Sequence, residues 1–206
     1  LSARGMLLPG ALSQKKFKKK LFLSLLRLFN INRKITWHAT DNDEAVFIKN
    51  VFGTSANISI APNIPNLLEP LTVLDKKEGE LILGTVALIS PMKNHLEVIR
   101  SLFSQTQHIQ WYIYGPVKEE SYWKECLQMM EQLPENIKIH FAGETKPGNL
   151  AKALNTFQVF IMPSKSENFG HAIFEALSAG KPVITTNSTP FKNLGLYKAG
   201  ETIDLN

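Results

Sequence analysis

Two glutamates frame the stretch SENFGHAIFE, which spans residues 166–175. Glu167 and Glu175 lie on either side of Gly170, directly after the apolar run FQVFIMPS. Paired carboxylates can act as acid and base on a glycosidic bond, or they can hydrogen-bond sugar hydroxyls. On spacing alone, an acid at a helix N-terminus and a solvated helix residue are the simpler interpretation. The choice depends on the elements that carry the two side chains.

From residue 79 onward, short apolar runs alternate with helical patterns. This alternation predicts parallel strands joined by helical crossovers, which form a doubly wound α/β sheet. Near-continuous apolar runs such as FQVFIM are typical of strands that are buried on both faces. The predicted strands are ELILGTVALI, IQWYIYG, NIKIHFAG, FQVFIMP and PVITTN, and the predicted helices are KNHLEVIRSLFS, EESYWKECLQMMEQL, PGNLAKALN and FGHAIFEALSA.

The turn SENFG follows a predicted strand, so it is expected at the ligand-binding edge of the sheet. The helix expected to begin near Asn168 offers unpaired N–H groups and a positive dipole end, which suit a phosphate. Gly170 has no Cβ and lets a ligand approach the backbone closely. Glu167 is expected at the helix entrance. Glu175 is expected about two turns inside an apolar helix, where a carboxylate needs a hydrogen-bonding partner.

The segment before about residue 65 follows a different pattern. It contains a basic amphipathic helix, a short strand around ITWHAT, the helix DNDEAVFIKNVF that Gly53 could end, and NISIAPN. These pieces are too few to close a sheet of their own. The proline-containing segment APNIPNLLEPLTVLDKKEGE is the predicted linker. We therefore expect residues 1–65 to be the end of an upstream α/β domain.

Composition narrows the class of protein. A chain of 206 residues that is 44% hydrophobic can bury a sizeable core. Its single cysteine, Cys126, excludes an intramolecular disulfide framework and favours a reducing, cytoplasmic setting, with the side chain as a small apolar filler. The leucine-rich run LFLSLLRLF is interrupted by Arg27 and is shorter than the roughly 20 residues that a membrane span needs.

Basic residues are concentrated near the start of the chain. Residues 1–40 contain nine Lys and Arg and no acidic residue, although the net charge of the whole chain is only +5. The helix expected over residues 15–29 places Phe17, Leu21, Leu25 and Leu28 on one stripe, with most lysines away from it. Such a helix can lie on the surface of an anionic membrane. Packing of the stripe on an upstream domain explains the pattern as well, whereas nucleic-acid binding is not expected because no recognition motif accompanies it.

Several motifs, in order, resemble one enzyme family. SENFGHAIFEALSAGKPVITTN resembles the E-x7-E signature of retaining, nucleotide-sugar-dependent glycosyltransferases of the group 1 or family 4 class, which have the GT-B fold. The resemblance extends through ISPMKNH, IYGPVKEESYWKECL, LPENIKIHFAG and MPSKSENFGH, while SARGML, TWHATDNDE and IAPNIPN resemble the end of the acceptor-side domain. It implies a remnant of that domain in residues 1–65 and a Rossmann-like donor-binding domain, lacking its C-terminal end, in residues 66–206.

The resemblance also implies roles for single residues. Glu167, the expected catalytic residue, would contact the donor sugar, and Glu175 would hold the ribose hydroxyls. Lys93 would pair with the diphosphate, which gains negative charge as it leaves. Gly115 would shape the floor of the pocket, although a strand-ending turn explains it almost as well, and His171 is equally well explained as a packed or solvated residue. The expected donor-binding residues are Lys93, Gly115, Asn168, Phe169, Gly170, His171 and Glu175.

One position departs from the family pattern. Leu88 stands where an arginine is usual, five residues before Lys93, and a leucine cannot compensate phosphate charge. The resemblance also implies that the family's acceptor-binding groups and a catalytic histidine would lie upstream of residue 1. We therefore expect this chain alone to bind donor better than it transfers sugar. The alternative is a noncatalytic or degenerate nucleotide-sugar-binding module, and an epimerase or phosphorylase on the same fold is a further rival.

The reaction implied by the resemblance moves a sugar from a nucleoside diphosphate to a hydroxyl acceptor with retention of anomeric configuration. The partners are then a nucleotide-sugar donor and a glycan or glycolipid acceptor. A cytoplasmic enzyme of polysaccharide biosynthesis, either free or peripheral at the inner face of the membrane, fits this chemistry. No metal and no cofactor are expected, because the family mechanism generally needs neither.

Overall fold

The computed structural model describes residues 1–2, 7, 16–72 and 74–205. The chain forms two compact units, Leu1–Ile64 and Pro65–Asn206. The boundary between the units lies within the segment that the sequence marks as a linker. The assignment of the first unit to an acceptor-side domain stays a prediction.

The first unit contains a two-stranded parallel sheet and its helices. The ring of Trp37 stacks on Phe52 with centroids 4.4 Å apart, within a buried cluster. The helix Asn42–Phe52 is capped at its start by Asp41, whose side chain accepts the N–H of Glu44, and is followed by Gly53, where φ is 90°. The elements are α1 (Lys16–Leu28), α2 (Ile31–Lys34), β1 (Thr36–Ala39), α3 (Asn42–Phe52) and β2 (Asn57–Ile60), with β1 and β2 paired.

The second unit alternates strands with helices. Each predicted strand and helix is present, with ends that differ by a few residues. The elements are β3 (Glu80–Val86), α4 (His95–Leu102), β4 (His108–Tyr114), α5 (Glu120–Met130), β5 (Ile137–Gly143), α6 (Leu150–Leu154), β6 (Val159–Met162), α7 (His171–Ser178), β7 (Val183–Thr186) and β8 (Gly200–Ile203), with 3-10 turns at Pro147–Asn149 and Gly195–Tyr197.

Six parallel strands form one sheet in the order β5-β4-β3-β6-β7-β8. Strand β6 shows how both faces are covered. Ile161 packs in the cluster that contains α4 and α5, whereas Phe160 and Met162 pack in the cluster that contains α6 and α7. Burial on both faces explains why the run FQVFIM is apolar at successive positions. The predicted doubly wound parallel sheet is confirmed.

Two local expectations are wrong. Helix α7 begins at His171 and not within Asn168–Gly170, because Gly170 has φ 74° and ψ 50°, a left-handed conformation that the helix cannot include. Glu175 is therefore the fifth residue of α7 and lies about one turn inside it, not two. Strand β8 was not predicted, since its short segment GETI carries little apolar pattern.

Candidate functional site at the carboxyl edge of the sheet

Three loops meet at the carboxyl ends of β4, β3 and β6, which are neighbours in the sheet. Parallel strands place these ends at one edge, where doubly wound sheets bind ligands. The loops after β3 and β6 are joined directly. The carbonyl oxygen of Met92 accepts the N–H of Lys165 at 2.8 Å and lies 3.1 Å from the hydroxyl oxygen of Ser164. This joint brings the predicted residues Lys93 and Glu167 side by side.

Lys93 and Glu167 form an ion pair between Nζ and Oε1. Their side chains are 19% and 12% exposed, so the pair is shielded from most of the solvent. A pair that is shielded in this way is electrostatically stronger than one on an open surface. The family resemblance places the two residues against different parts of one ligand, and their contact is not visible in the sequence. Glu167 does not cap α7, since its partners are Lys93 and Ser164.

Ser164 is a site residue that the sequence reasoning missed. Its side chain is fully buried, and its hydroxyl lies 2.6 Å from Oε1 of Glu167. The hydroxyl of Thr186 in turn donates to the carbonyl of Ser164 at 2.6 Å. A signal was available in the stretch MPSKSE. It places a small hydroxyl residue just after a buried strand and three positions before the acid.

Gly115 ends β4 for a steric reason. Its φ is 145°, and a Cβ at this position would lie 1.8 Å from the carbonyl oxygen of Ala87, which follows β3. Its N–H donates to the carbonyl of Gly143 at 2.7 Å, so three strand ends converge here. Only glycine allows this approach. The close approach explains the residue structurally, and its part in donor binding stays a prediction.

The entrance of α7 is open to solvent at its first residue. His171 is exposed, and its ring lies 4.5 Å from that of Phe169, centroid to centroid. Gly170 is buried against Phe191, whose Cε2 would lie 3.1 Å from an added Cβ. Among the described residues, none accepts a hydrogen bond from the N–H groups of positions 171–173. These N–H donors and the helix dipole can bind an anion at the entrance of α7. The loop that leads into this entrance carries Glu167, the partner of Lys93.

Glu175 lies one turn further along α7 and is partly buried. Burial raises the pKa of its carboxyl group, while the nearby His171 opposes this shift. Among the described residues, none donates a hydrogen bond to this carboxylate, and none forms an ion pair with it. A half-buried carboxylate that receives no hydrogen bond from the protein can accept hydrogen bonds from ligand hydroxyls.

Leu88, in the turn after β3, has a side chain that is 43% exposed. The cation that this turn brings to the site is Lys93, five residues later. A leucine at this position supplies apolar surface and no charge to this edge. Within the described ranges, no group of three or more His, Cys, Asp or Glu side chains could hold a metal ion.

Comparison with known proteins agrees with this architecture. The family model described as "Glycosyl transferases group 1" matches residues 71–194, more than half of the chain. Over 99 residues, the chain is 28% identical to the sulfoquinovosyl transferase SQD2 of Arabidopsis thaliana. The matched part is 47% of this chain and 18% of that protein.

Two solved structures show the similarity of fold. HepE of Anabaena, in complex with UDP and glucose, has a TM-score of 0.68 at 16% identity, with 91% of this chain and 52% of that chain covered. WaaG, a glycosyltransferase involved in lipopolysaccharide biosynthesis, has a TM-score of 0.62 at 16% identity, with 82% and 49% covered. The chain thus spans about half the length of these two proteins. At such identities the likeness concerns the fold, and the predicted GT-B fold is confirmed.

Proposed function

This chain belongs to the group 1 glycosyltransferases, and on this premise we propose that it binds a nucleoside diphosphate sugar. In the whole protein, the sugar is transferred to a hydroxyl of a glycan or glycolipid. Lys93 and the N–H groups at the start of α7 bind the diphosphate. Glu167 contacts the sugar, and Glu175 binds the ribose hydroxyls.

The observation that carries this proposal is the position of the Lys93–Glu167 pair at the carboxyl edge of the sheet, in loops that neighbour the entrance of α7. The edge offers a cation and amide donors for a phosphate, and a carboxylate for a sugar hydroxyl. Phe169 and Gly170 form the wall and the backbone surface of this entrance, and Asn168 precedes them. The solved HepE complex contains UDP and glucose, which makes UDP-glucose the first donor to test.

We further propose that transfer proceeds with retention. Glu167 is held by a lysine and a hydroxyl, so it is poorly placed to act as the free base that an inverting enzyme needs. In a retaining front-face reaction, the departing diphosphate itself takes the acceptor proton. The protein then contributes by positioning the substrates and stabilising charge.

Calorimetric titration with UDP-, GDP- and ADP-sugars tests donor binding. We expect one of the three nucleotides to bind. Glu175→Ala should weaken its binding roughly tenfold, because the ribose hydroxyls lose the charged carboxylate to which they donate. Glu125→Ala, an exposed glutamate on α5, is the matched control and should bind as the unaltered chain does. Absence of binding by all three nucleotide classes would refute the proposal. Once an acceptor is known, the anomeric configuration of the product, read by NMR, tests retention.

The basic helix α1 supports a proposal about a second partner. Phe17, Leu21, Leu25 and Leu28 are exposed, Phe17 by 81%, while the helix packs through Leu26. The predicted apolar stripe is thus not the face that packs in the first unit. None of the helices formed by the described residues combines the length and the apolar character that a membrane span requires. We propose that this stripe and the neighbouring lysines rest on an anionic membrane surface.

Vesicle flotation tests this contact. We expect binding to phosphatidylserine-containing vesicles that weakens at high salt, and its loss in a Phe17→Asp, Leu28→Asp double variant. Leu196→Asp is the control, since Leu196 is 82% exposed and lies in the second unit. Equal binding to neutral vesicles, or unchanged binding by the double variant, would contradict the proposal.

A further inference from the structure

Ser164 is held more firmly than a loop serine usually is. Its N–H donates to the carbonyl of Met162 at 2.8 Å, and its carbonyl accepts the hydroxyl of Thr186 at 2.6 Å. Its side chain is 0% exposed. Both backbone polar groups and the surrounding packing therefore fix the position of its Oγ atom.

The hydroxyl of Ser164 has three acceptors within reach and one proton to donate. Oε1 of Glu167 lies at 2.6 Å, the carbonyl of Met92 at 3.1 Å and the carbonyl of Ser166 at 3.5 Å. A charged acceptor at the shortest distance forms the strongest of these bonds. The proton of Ser164 therefore points at Glu167.

Lys93 cannot serve Glu167 and a diphosphate equally well. In the structure, its ammonium group is paired with Oε1 of Glu167. A diphosphate at this edge would draw the ammonium group toward itself, because it carries more negative charge than a carboxylate. Glu167, 12% exposed, would then lose its cationic partner while it is still shielded from water. A carboxylate in that position needs another donor to keep its place.

We propose that Ser164 is the positioning residue for Glu167, and that its hydroxyl holds Oε1 in place when Lys93 turns to the diphosphate. Both bonds from Ser164 and Lys93 end on Oε1, so Oε2 is the oxygen that faces the sugar. The inference rests on the proposed donor-binding function. It adds an exchange of partners, in which Lys93 moves and Ser164 does not.

The link between Ser164 and Glu167 can be measured without any ligand. A double-mutant cycle of Ser164→Ala and Glu167→Ala, read by urea unfolding, isolates their interaction from the effect of each change alone. We expect a coupling of roughly tenfold in the unfolding equilibrium constant, as for a hydrogen bond to a charged group. Additivity of the two changes within about twofold would overturn the proposal.

Donor binding supplies the second measurement. Calorimetry with UDP and UDP-glucose gives the increment in affinity that the sugar contributes, and GDP and ADP with their glucose conjugates extend the test. Ser164→Ala should reduce this increment roughly tenfold and change the affinity for the free nucleotide by less than about twofold. Thr185→Val is the matched control, because it also removes a buried hydroxyl, one that donates to the carbonyl of Met162 at 2.9 Å. The control should leave the increment unchanged.

The outcomes separate the two proposals. Equal weakening of UDP and UDP-glucose by Ser164→Ala would mean that Ser164 supports the loop and does not position Glu167, and the inference would fail. If no nucleotide binds the unaltered chain, the proposed function fails, while the ligand-free cycle still tests the link to Glu167. Coupling in the double-mutant cycle, together with a smaller contribution of the sugar to affinity in Ser164→Ala, supports both the donor-binding function and the positioning of Glu167 by Ser164.

Discussion

Helices α4 and α7 begin alike and differ in what surrounds their first turns. Each starts with a histidine, His95 or His171, directly after a residue in the left-handed conformation, and neither has a side-chain cap. At α4, the histidine is 1% exposed, and the N–H of Leu96 donates to the hydroxyl of Tyr122 at 3.0 Å. At α7, the histidine is exposed and the first N–H groups meet no acceptor among the described residues. The protein itself supplies an acceptor at one helix end, and at the other end the described residues supply none.

The difference shows why a motif at a helix start does not by itself identify a binding site. Both ends lie at the carboxyl edge of the sheet, and both carry the dipole that favours anions. At the start of α4, Tyr122 of helix α5 accepts the N–H of Leu96. Lys93 directly precedes the occupied end, and it turns to Glu167, in the loop before α7.

The largest expected effect concerns the buried histidine. Burial, with the charge of Lys93, lowers the pKa of His95 from 6.5 to about 4, and neither ring nitrogen has a hydrogen-bond partner among the residues that the structure describes. The unfolded chain therefore binds a proton at a higher pH than the folded chain. The stability due to neutral His95 is present above pH 6.5 and is lost as the pH falls toward 4. We expect a loss on the order of 3 kcal/mol across this window.

Urea unfolding at several pH values measures this loss. His95→Phe should remove most of the pH dependence, because it keeps a ring between Trp111 and Tyr122 and cannot titrate. His108→Gln, at an exposed histidine, should leave the slope unchanged. A slope that survives His95→Phe would show that the buried end of α4 is not the acid-sensitive part.

Tyr122→Phe opens the covered helix end and is expected to cost about 2 kcal/mol. The change leaves the N–H of Leu96 buried without an acceptor, which carries a desolvation cost. Denaturant unfolding gives the stability, and hydrogen exchange at Leu96 shows whether the amide has become accessible. Tyr197→Phe, at a side chain that is 79% exposed, should change neither. Nucleotide binding acquired by Tyr122→Phe at α4 would support the idea that occupancy separates the two ends.

Gly170→Ala alters the open helix end. The left-handed backbone costs an alanine about 1–2 kcal/mol, and the new Cβ would lie 3.1 Å from Phe191. Because the first turn of α7 must shift, we expect nucleotide affinity to fall roughly tenfold. Gly180→Ala is matched, with φ 76° at the other end of α7 and nothing within 4 Å of the added Cβ. Gly180→Ala should lose a similar amount of stability, measured by thermal unfolding, and should bind nucleotide as the unaltered chain does. If Gly170→Ala and Gly180→Ala bind nucleotide with equal affinity, the first turn of α7 is not part of the binding site.

The smallest effect concerns the exposed histidine. Nucleotide binding should weaken on acidification as Glu175 becomes protonated, and burial raises the pKa of that carboxyl group. His171 opposes the shift, so His171→Asn should move the loss of affinity to a slightly higher pH. Titration of nucleotide affinity against pH measures this. A shift to lower pH would contradict the assignment of Glu175 to the nucleotide.

Much of the fold followed from patterns along the chain. The alternation of apolar runs and helices after residue 79 predicted each strand from β3 to β7 and the parallel sheet. Buried parallel strands are nearly uniform in polarity, and the helices between them have a clear period, so both are readable locally. Strand β8 and the start of α7 were missed. A four-residue edge strand has little pattern, and a left-handed glycine ends a helical run without changing its polarity.

The sequence named candidate residues for the site but did not show their contacts. Lys93, Glu167 and Glu175 were named from their motifs, since charged side chains at strand ends and beside glycine are visible in the sequence. Their grouping was not visible, because Lys93 and Glu167 are 74 residues apart. Loops after β3 and β6 meet only because those strands are neighbours in the folded sheet. Ser164 could be recognised only from its burial and its distance to Glu167.

Residue type and spacing along the chain were therefore enough to specify the family and the parallel α/β architecture, and to single out the acids and the lysine that we propose for the site. Packing specified which helix end stays open, which oxygen of Glu167 is occupied and which face of α1 is buried. Propensity and polarity act between near neighbours in sequence. Whether a helix end has an acceptor, which side chains form an ion pair and which face of a helix is exposed depend on residues that only folding brings together.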